Sequence, residues 1–289
     1  MLTVDAHLHI WDPAVARYTW LDDWVAADPD TRVLHRRFDF DEVLPRLGEA
    51  GIDCAVLVQS LDADEDTDHL LAVARDTPQV IGVVAWLPLD DAGRAALRLA
   101  ELSSHEKFVG VRSLIHDRAD PDWILGPAAD AGLSLLEASA VPFDYVTSGP
   151  AALAHLPKIA ERHPGLPLVL DHLGKPPIGG LPSERVRWRL LLSEAAENPL
   201  LTAKVSGLYP RSGDREALGP ETVRPFVEDA IEIFGAERLM YGGDWPVAEL
   251  AGGYARVAAS LLPVLDQLPA GDRAAILGGN AVRIYGLRP

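Results

Sequence analysis

The sequence predicts a single-domain (β/α)8 barrel with a long loop after its first strand. Three observations predict it. Short apolar runs and amphipathic stretches alternate about eight times along 289 residues. Most of the apolar runs lack polar alternation, as expected for parallel strands buried on both faces. The histidines, cations and carboxylates that fall within or just after these runs would collect at the C-terminal mouth, where such barrels carry their sites. No Gly-x-Gly-x-x-Gly opens a helix after the first run and no Walker loop is present, so an open nucleotide-binding sheet has no support.

The first strand is Val4-Asp5-Ala6-His7-Leu8-His9-Ile10. Strand side chains alternate, so His7 and His9 share a face, and Asp5 shares their parity. Residues 11–37 follow without a persistent period and carry Tyr18, Trp20, Leu21 and Trp24 among charges. A connection this long reads as a lid, and its tryptophans argue for a packed one. A helix over 40–50 places Val43, Leu47 and Ala50 on one face and stops at Gly51. Strand two spans 55–59, and a helix over 64–77 stops before Pro78. Strand three spans 80–87, with a helix over 91–102, and strand four spans 108–113 with Arg112 near its end. A short helix is expected over 121–131 and a fifth strand at Leu133–Ala138. A helix over 149–163 contains Pro157, so it begins late or bends. Strand six ends in Asp171-His172, and a helix covers 181–198. Strand seven, 201–206, carries Lys204 and Ser206 at one parity; a helix covers 220–234, and strand eight, 239–244, ends in Asp244. Helical stretches at 251–265 and 272–278 close the chain, all of which (1–289) reads as one domain.

Composition removes several functions. A net charge of −17 argues against nucleic acid and anionic membranes as partners. Cys54 is the only cysteine, so an intrachain disulfide and a thiolate cluster are excluded. No apolar run reaches membrane-spanning length and the N-terminus lacks a basic leader, so a cytoplasmic location is expected. Nothing in the sequence fixes the oligomeric state.

Barrel closure makes strands one and eight neighbours. His7, His9 and Asp244 should therefore cluster, with His172 reaching in across the mouth and Arg112 and Lys204 as cations at the same end. Singly, each has an ordinary explanation as a strand-end residue, a turn former or a snorkelling lysine. Three imidazoles, a carboxylate and two cations at one barrel end point to a site.

These residues, in order, resemble the amidohydrolase superfamily. The likeness is closest to the amidohydrolase-2 group, which includes sugar-lactone lactonases such as L-fuconolactonase and L-rhamnonolactonase and also 2-pyrone-4,6-dicarboxylate lactonase. It rests on Asp5-Ala6-His7-Leu8-His9-Ile10-Trp11-Asp12, Gly110-Val111-Arg112, Asp171-His172-Leu173-Gly174-Lys175-Pro176 and Gly242-Gly243-Asp244-Trp245-Pro246. Two-metal members of the superfamily add a carboxylated lysine on strand four and a histidine on strand five. Here strand four carries Arg112, and the stretch expected as strand five has no histidine, so a binuclear centre is not expected. The resemblance implies that no metal is required, with one zinc ion on His7, His9, His172 and Asp244 as the alternative.

The expected reaction is hydrolysis of a sugar-acid lactone. Asp244 would take the proton of the attacking water, with His7, His9 and His172 stabilising the carbonyl oxygen. Arg112 and Lys204 would bind substrate hydroxyls or a carboxylate, and Trp20, Trp86 and Trp245 would offer flat faces to the sugar. A metal-dependent decarboxylase or other hydrolase acting on an aromatic or carboxylated substrate is the alternative, with a non-catalytic sugar-acid binder behind it. The absence of Gly-x-Ser-x-Gly disfavours a serine nucleophile.

Overall fold

The computed structural model describes residues 2–147, 149–210 and 217–288. Eight parallel strands pair in sequence order: β1 (Val4–Leu8), β2 (Cys54–Val58), β3 (Val80–Ala85), β4 (Phe108–Ser113), β5 (Phe143–Tyr145), β6 (Leu168–Leu170), β7 (Leu201–Val205) and β8 (Leu239–Tyr241). The ring closes between the ends of β1 and β8. The amide of Asp244 donates to the carbonyl of His7 at 2.8 Å, and that of His9 to the carbonyl of Trp245 at 2.7 Å. This is the expected (β/α)8 barrel. Val4, Val56, Val84, Val169 and Met240 come from five different strands and pack together with Tyr285 and Leu287. Such a cluster forms only inside the ring, so it is the apolar layer under the site. No described helix is long and apolar enough to cross a membrane.

Most outer helices fall where the pattern places them: α2 (Phe40–Glu49), α3 (Asp64–Asp76), α4 (Ala92–Leu102), α7 (Pro182–Ala196), α8 (Pro220–Phe234) and α9 (Tyr254–Leu265). Four local expectations are corrected. The stretch expected as strand five, Leu133–Ala138, is the second half of α5 (Pro127–Ala138). Its buried residues Ala129, Gly132, Leu133 and Leu136 lie on one helical stripe, and Pro127 starts the helix where a missing N–H costs nothing. The fifth strand is Phe143-Asp144-Tyr145, three residues too short to show a period. The helix expected over 121–131 is instead a 3-10 turn at Trp123–Leu125 followed by α5, the second correction. The helix over 149–163 begins late as expected, a 3-10 turn at Pro150–Ala154 preceding α6 (His155–Arg162).

The third correction lies in the long connection after β1, which contains α1 (Thr19–Ala27) and a 3-10 turn at Pro29–Leu34. An antiparallel bridge between Trp11 and Phe38 closes its base. Its top is tied down by polar contacts. Tyr18 donates to Asp66 Oδ1 at 2.8 Å, Asp66 Oδ2 accepts the Ser60 amide at 2.9 Å, and Trp20 donates its indole N–H to the Ser60 carbonyl at 2.9 Å. The fourth concerns β1 itself. Its pairing with β2 shifts register between Asp5 and Leu8, and such a bulge re-aims side chains. Asp5 therefore leaves the face of His7 and accepts from the Gly243 amide at 2.9 Å and from Tyr254 of α9 at 2.8 Å.

Candidate active site

His7 and His9 reach the mouth from β1. The imidazole of His9 lies with Nδ1 2.7 Å from the Val58 carbonyl. Only a protonated Nδ1 can meet a carbonyl, which leaves the Nε2 lone pair facing the cavity. That Nε2 stands 3.1 Å from Nε2 of His7. His172 sits just past β6, with Nδ1 2.9 Å from Ser206 Oγ on the end of β7. Asp244, just past β8, presents Oδ1 to all three: 3.7 Å from His7 Nε2, 3.6 Å from His9 Nε2 and 4.0 Å from His172 Nε2. Its other oxygen, Oδ2, accepts from Tyr209 at 3.0 Å.

The backbone is bent to achieve this. Asp244 lies at φ +53°, and His172, Leu173 and Lys175 lie at +55°, +51° and +56°. Residues with a β-carbon hold that region only where their surroundings fix them. Gly207 at φ +59° is required for a second reason: a β-carbon there would lie 2.5 Å from His172 Nδ1 and 3.1 Å from Asp244 Oδ2.

Beneath this group is a second, fully buried one. Lys204 Nζ lies 2.5 Å from Asp144 Oδ2, 3.1 Å from Asp171 Oδ1 and 3.0 Å from His7 Nδ1. Arg112 donates to Asp171 Oδ2 at 3.0 Å and to the Gln59 carbonyl. Tyr285 donates to Asp144 at 2.8 Å. His7 is thus held from below while its Nε2 faces Asp244.

Burial sets the protonation states. It pulls the pKa values of His7, His9 and His172 below the usual histidine value, so all three are neutral at pH 7. Burial alone would raise Asp244, but the imidazoles of His172, His9 and His7 together hold it well below the usual carboxylate range. Asp171 is low for a similar reason: against its burial, Lys204, His7 and Arg112 all favour the anion. His116 at the rim is pushed down to about 3, by burial first and then by Lys175 and Arg112.

Above the floor opens a cavity of about 350 Å³, the size of a small-ligand site. His9, His172, Asp244 and Arg112 line its floor, and Trp11, Trp20 and Trp24 form an aromatic wall from the connection after β1. The Nε of Arg112 has no hydrogen-bond partner among the described residues.

Of the residues singled out in the sequence, His7, His9, His172 and Asp244 come together, and Arg112 and Trp20 line the cavity. Four do not line it. His7 sits under the floor with no exposed surface. Lys204 lies below the floor with no exposed surface. Trp245 packs edge-on against Phe38 and donates to Glu249 at 3.0 Å. Trp86 is buried, with the Arg94 guanidinium over its ring. Sequence reasoning did not assign roles to Tyr209, Lys175, Asp144 and Trp24. Lys175 stood within the quoted Gly-Lys-Pro stretch, whereas Tyr209 gave no periodic signal.

The upper group suits a divalent ion. Ligand atoms of His7, His9 and Asp244 lie within 4.8 Å of one another, and so do those of His7, Asp171 and His172. The Nε2 lone pair of His9 lies beside an ionised carboxylate, with the His7 and His172 rings next to them, a nitrogen and anionic-oxygen set that matches zinc.

A sequence profile for the family described as Amidohydrolase matches residues 4–287. An L-fucono-1,5-lactonase of Burkholderia ambifaria is 36% identical over 98% of this chain and 94% of its own. An L-fucono-1,5-lactonase of Burkholderia multivorans is 32% identical over 99% of this chain and 96% of its own. A crystal structure of an amidohydrolase from Burkholderia multivorans with bound zinc superposes with a TM-score of 0.85 at 29% identity, over the full length of both chains.

Proposed function

The chain belongs to the amidohydrolase family, and from that premise we propose that it is a lactonase, opening the cyclic ester of a sugar acid. L-fucono-1,5-lactone is the first substrate to test, because two relatives above 30% identity carry that activity in their names; L-rhamnonolactone is the second. The observation that carries the reading is one ionised carboxylate ringed by three neutral imidazoles on the floor of an aromatic-walled cavity.

Lactone hydrolysis needs a base for water, a counter-charge for the carbonyl oxygen and a surface that holds the ring. Asp244 is the base. Its low pKa makes it a weak one, so the work lies in placing the water, and Tyr209 fixes the carboxylate for that purpose. His172, whose Nδ1 accepts from the Ser206 hydroxyl and whose Nε2 then carries the proton, donates to the carbonyl oxygen from the floor. His9, whose Nε2 lone pair faces the cavity, accepts from the water, and His7 supports both from below. Arg112 lines the cavity beside the floor and offers its guanidinium to a substrate oxygen, and Trp20 offers its face to the sugar. Lys204 acts from the layer beneath by holding His7 and Asp171. Zinc, when bound by His7, His9, His172 and Asp244, supplies Lewis acidity for the carbonyl and acidifies water; the zinc in the Burkholderia multivorans amidohydrolase supports this assignment.

The test is a pH-indicator assay on aldonolactones, with and without a chelator, for the parent and for Asp244→Asn. Loss of the base should cost about 10²–10⁴ in kcat, while the variant still protects itself thermally when lactone is added. A parent that turns over no aldonolactone would overturn the reading.

A further inference from the structure

The cavity contains a cation that the scheme above leaves idle. Lys175 lines the cavity next to the floor, half-buried. Among the described residues its ammonium has no ion pair and no hydrogen bond. The other interior cations are tied down, Arg112 to Asp171 and Lys204 to Asp144. Burying an ammonium without an ion pair is costly; Asp244 and Asp117 act on this one only from beyond ion-pair distance.

The backbone is also strained to put it there. His172, Leu173, Gly174 and Lys175 form a run of four left-handed residues, three of which carry β-carbons. The surroundings hold the run in place. Trp188 donates to the Leu173 carbonyl at 2.8 Å, and the Lys175 amide donates to the His172 carbonyl at 2.9 Å. A β-carbon on Gly174 would lie 2.5 Å from Leu153. Strain fixed this firmly is expected at functional positions.

What the lysine meets follows by elimination. In the lactone, the ring oxygen and the carbonyl oxygen share one carbon, so a carbonyl directed at the floor leaves the ring oxygen against the cavity wall. Most donors on that wall are committed: Tyr209 to Asp244, Trp20 to the Ser60 carbonyl, Trp11 to the Leu34 and Arg36 carbonyls. Trp24 and His116 also line it, but both are neutral at pH 7 and bring no positive charge to a developing anion. Asp117 is an acid and would repel the developing charge.

Given the lactonase reading, we propose that Lys175 is a catalytic residue that holds the leaving ring oxygen. The water oxygen bonds to the carbonyl carbon and its proton passes to Asp244. The bond from that carbon to the ring oxygen breaks, and its electron pair stays on the ring oxygen beside the ammonium. Asp244 then returns the proton to that oxygen, giving the open hydroxy acid. The role uses the fixed charge of Lys175 and consumes nothing but water.

Leaving-group dependence tests this. The parent, Lys175→Met and Lys175→Arg are compared on L-fucono-1,5-lactone and on its 6,6,6-trifluoro analogue, whose CF3 group already stabilises charge on the leaving oxygen. Lys175→Met should lose about 10²–10³ in kcat on the natural lactone with KM little changed, as for loss of one preorganised charge-stabilising donor. The loss should be at least roughly tenfold smaller on the trifluoro analogue, because only a leaving-group role depends on that oxygen. Lys175→Arg, which keeps the charge, should recover most of the rate. An equal loss on both lactones, or a change in KM alone, overturns the assignment. Should Lys175→Met fail to fold by circular dichroism, Lys175→Gln and Lys175→Arg carry the same comparison. A parent that hydrolyses neither lactone refutes the lactonase reading and this assignment with it; a parent active on both beside an undiminished Lys175→Met refutes this assignment alone.

Discussion

Lys204 is predicted to hold the fold rather than the substrate, and Lys204→Met tests this. Its ammonium is fully buried between Asp144 and Asp171, at 2.5 and 3.1 Å. Arg112 is the second cation on Asp171, at 3.0 Å. Two carboxylates thus face two cations, and removing one cation leaves a buried negative charge uncompensated. Unit charges about 3 Å apart attract by about 5 kcal/mol at an effective dielectric of 20. Deleting one partner of a buried pair costs about 3–5 kcal/mol in practice. The lower end applies here, because Asp144 is already pushed up to about 6 by burial, against the pull of Lys204. Without Lys204 its folded pKa rises further above the ordinary 3.8. The folded variant then binds that proton more tightly than the unfolded chain does, so its stability increases as pH falls. The deficit against the parent should be about 3 kcal/mol at pH 8 and shrink toward pH 5. Urea unfolding followed by circular dichroism at several pH values measures it. A deficit under about 1 kcal/mol at pH 8, within the range of an exposed pair, accompanied by a raised KM would refute the reasoning and return Lys204 to the substrate.

Three further outcomes are expected. Zinc at a hundredfold excess over its Kd should stabilise the chelator-treated protein by about 2.7 kcal/mol. That is roughly 5 °C in Tm for a chain of this size, and His9→Ala should abolish the shift in differential scanning fluorimetry. Trp20→Ala should raise KM about three- to tenfold with a smaller change in kcat, the size of one lost aromatic contact; an unchanged KM would take Trp20 off the sugar. Asp66 beneath the connection after β1 is pushed up to about 6 by burial, so the folded chain binds its proton more tightly than the unfolded chain does. Its contribution therefore falls as pH rises from about 4 to 6 and is level above, spanning about 3 kcal/mol at most. Tm measured from pH 4.5 to 7 should accordingly drop more in the parent than in Asp66→Asn.

The legible part of the site was the part that strand parity and order determine. His7 and His9 share a face, β1 and β8 close the ring, and so Asp244 meets them. Parity gives a side chain's face and not its depth. Lys204 does point inward, yet it stops a layer below the cavity, and Trp86 and Trp245 were likewise assigned to the wall without any signal of depth. The bulge in β1 that turns Asp5 toward Tyr254 leaves no mark in composition. The fifth strand was hidden because Leu133, Leu135 and Leu136 look like a buried strand when read locally, whereas Phe143-Asp144-Tyr145 is too short to show a pattern. With it went Asp144, the partner that explains Lys204. Tyr209 and Lys175 sit in connections whose shape depends on left-handed residues and a required glycine, which hydropathy does not encode.

The charges of the two layers explain why they are stacked. The lower one is balanced, with Asp144 and Asp171 against Lys204 and Arg112. The upper one is not: Asp244 is ionised, and the three imidazoles around it are neutral. A buried carboxylate without a counter-charge is costly, and the balanced layer beneath has no spare cation to offer it. The floor is therefore complementary to a positive charge arriving from the cavity side, whether a divalent ion among the nitrogens or the proton of an attacking water. The same imbalance explains why Lys175 must be kept apart by a strained loop. On the proposed mechanism, an ammonium free to swing onto Asp244 would pair with it and quench the base; held away from it, the ammonium remains available to the opposite end of the bond being broken.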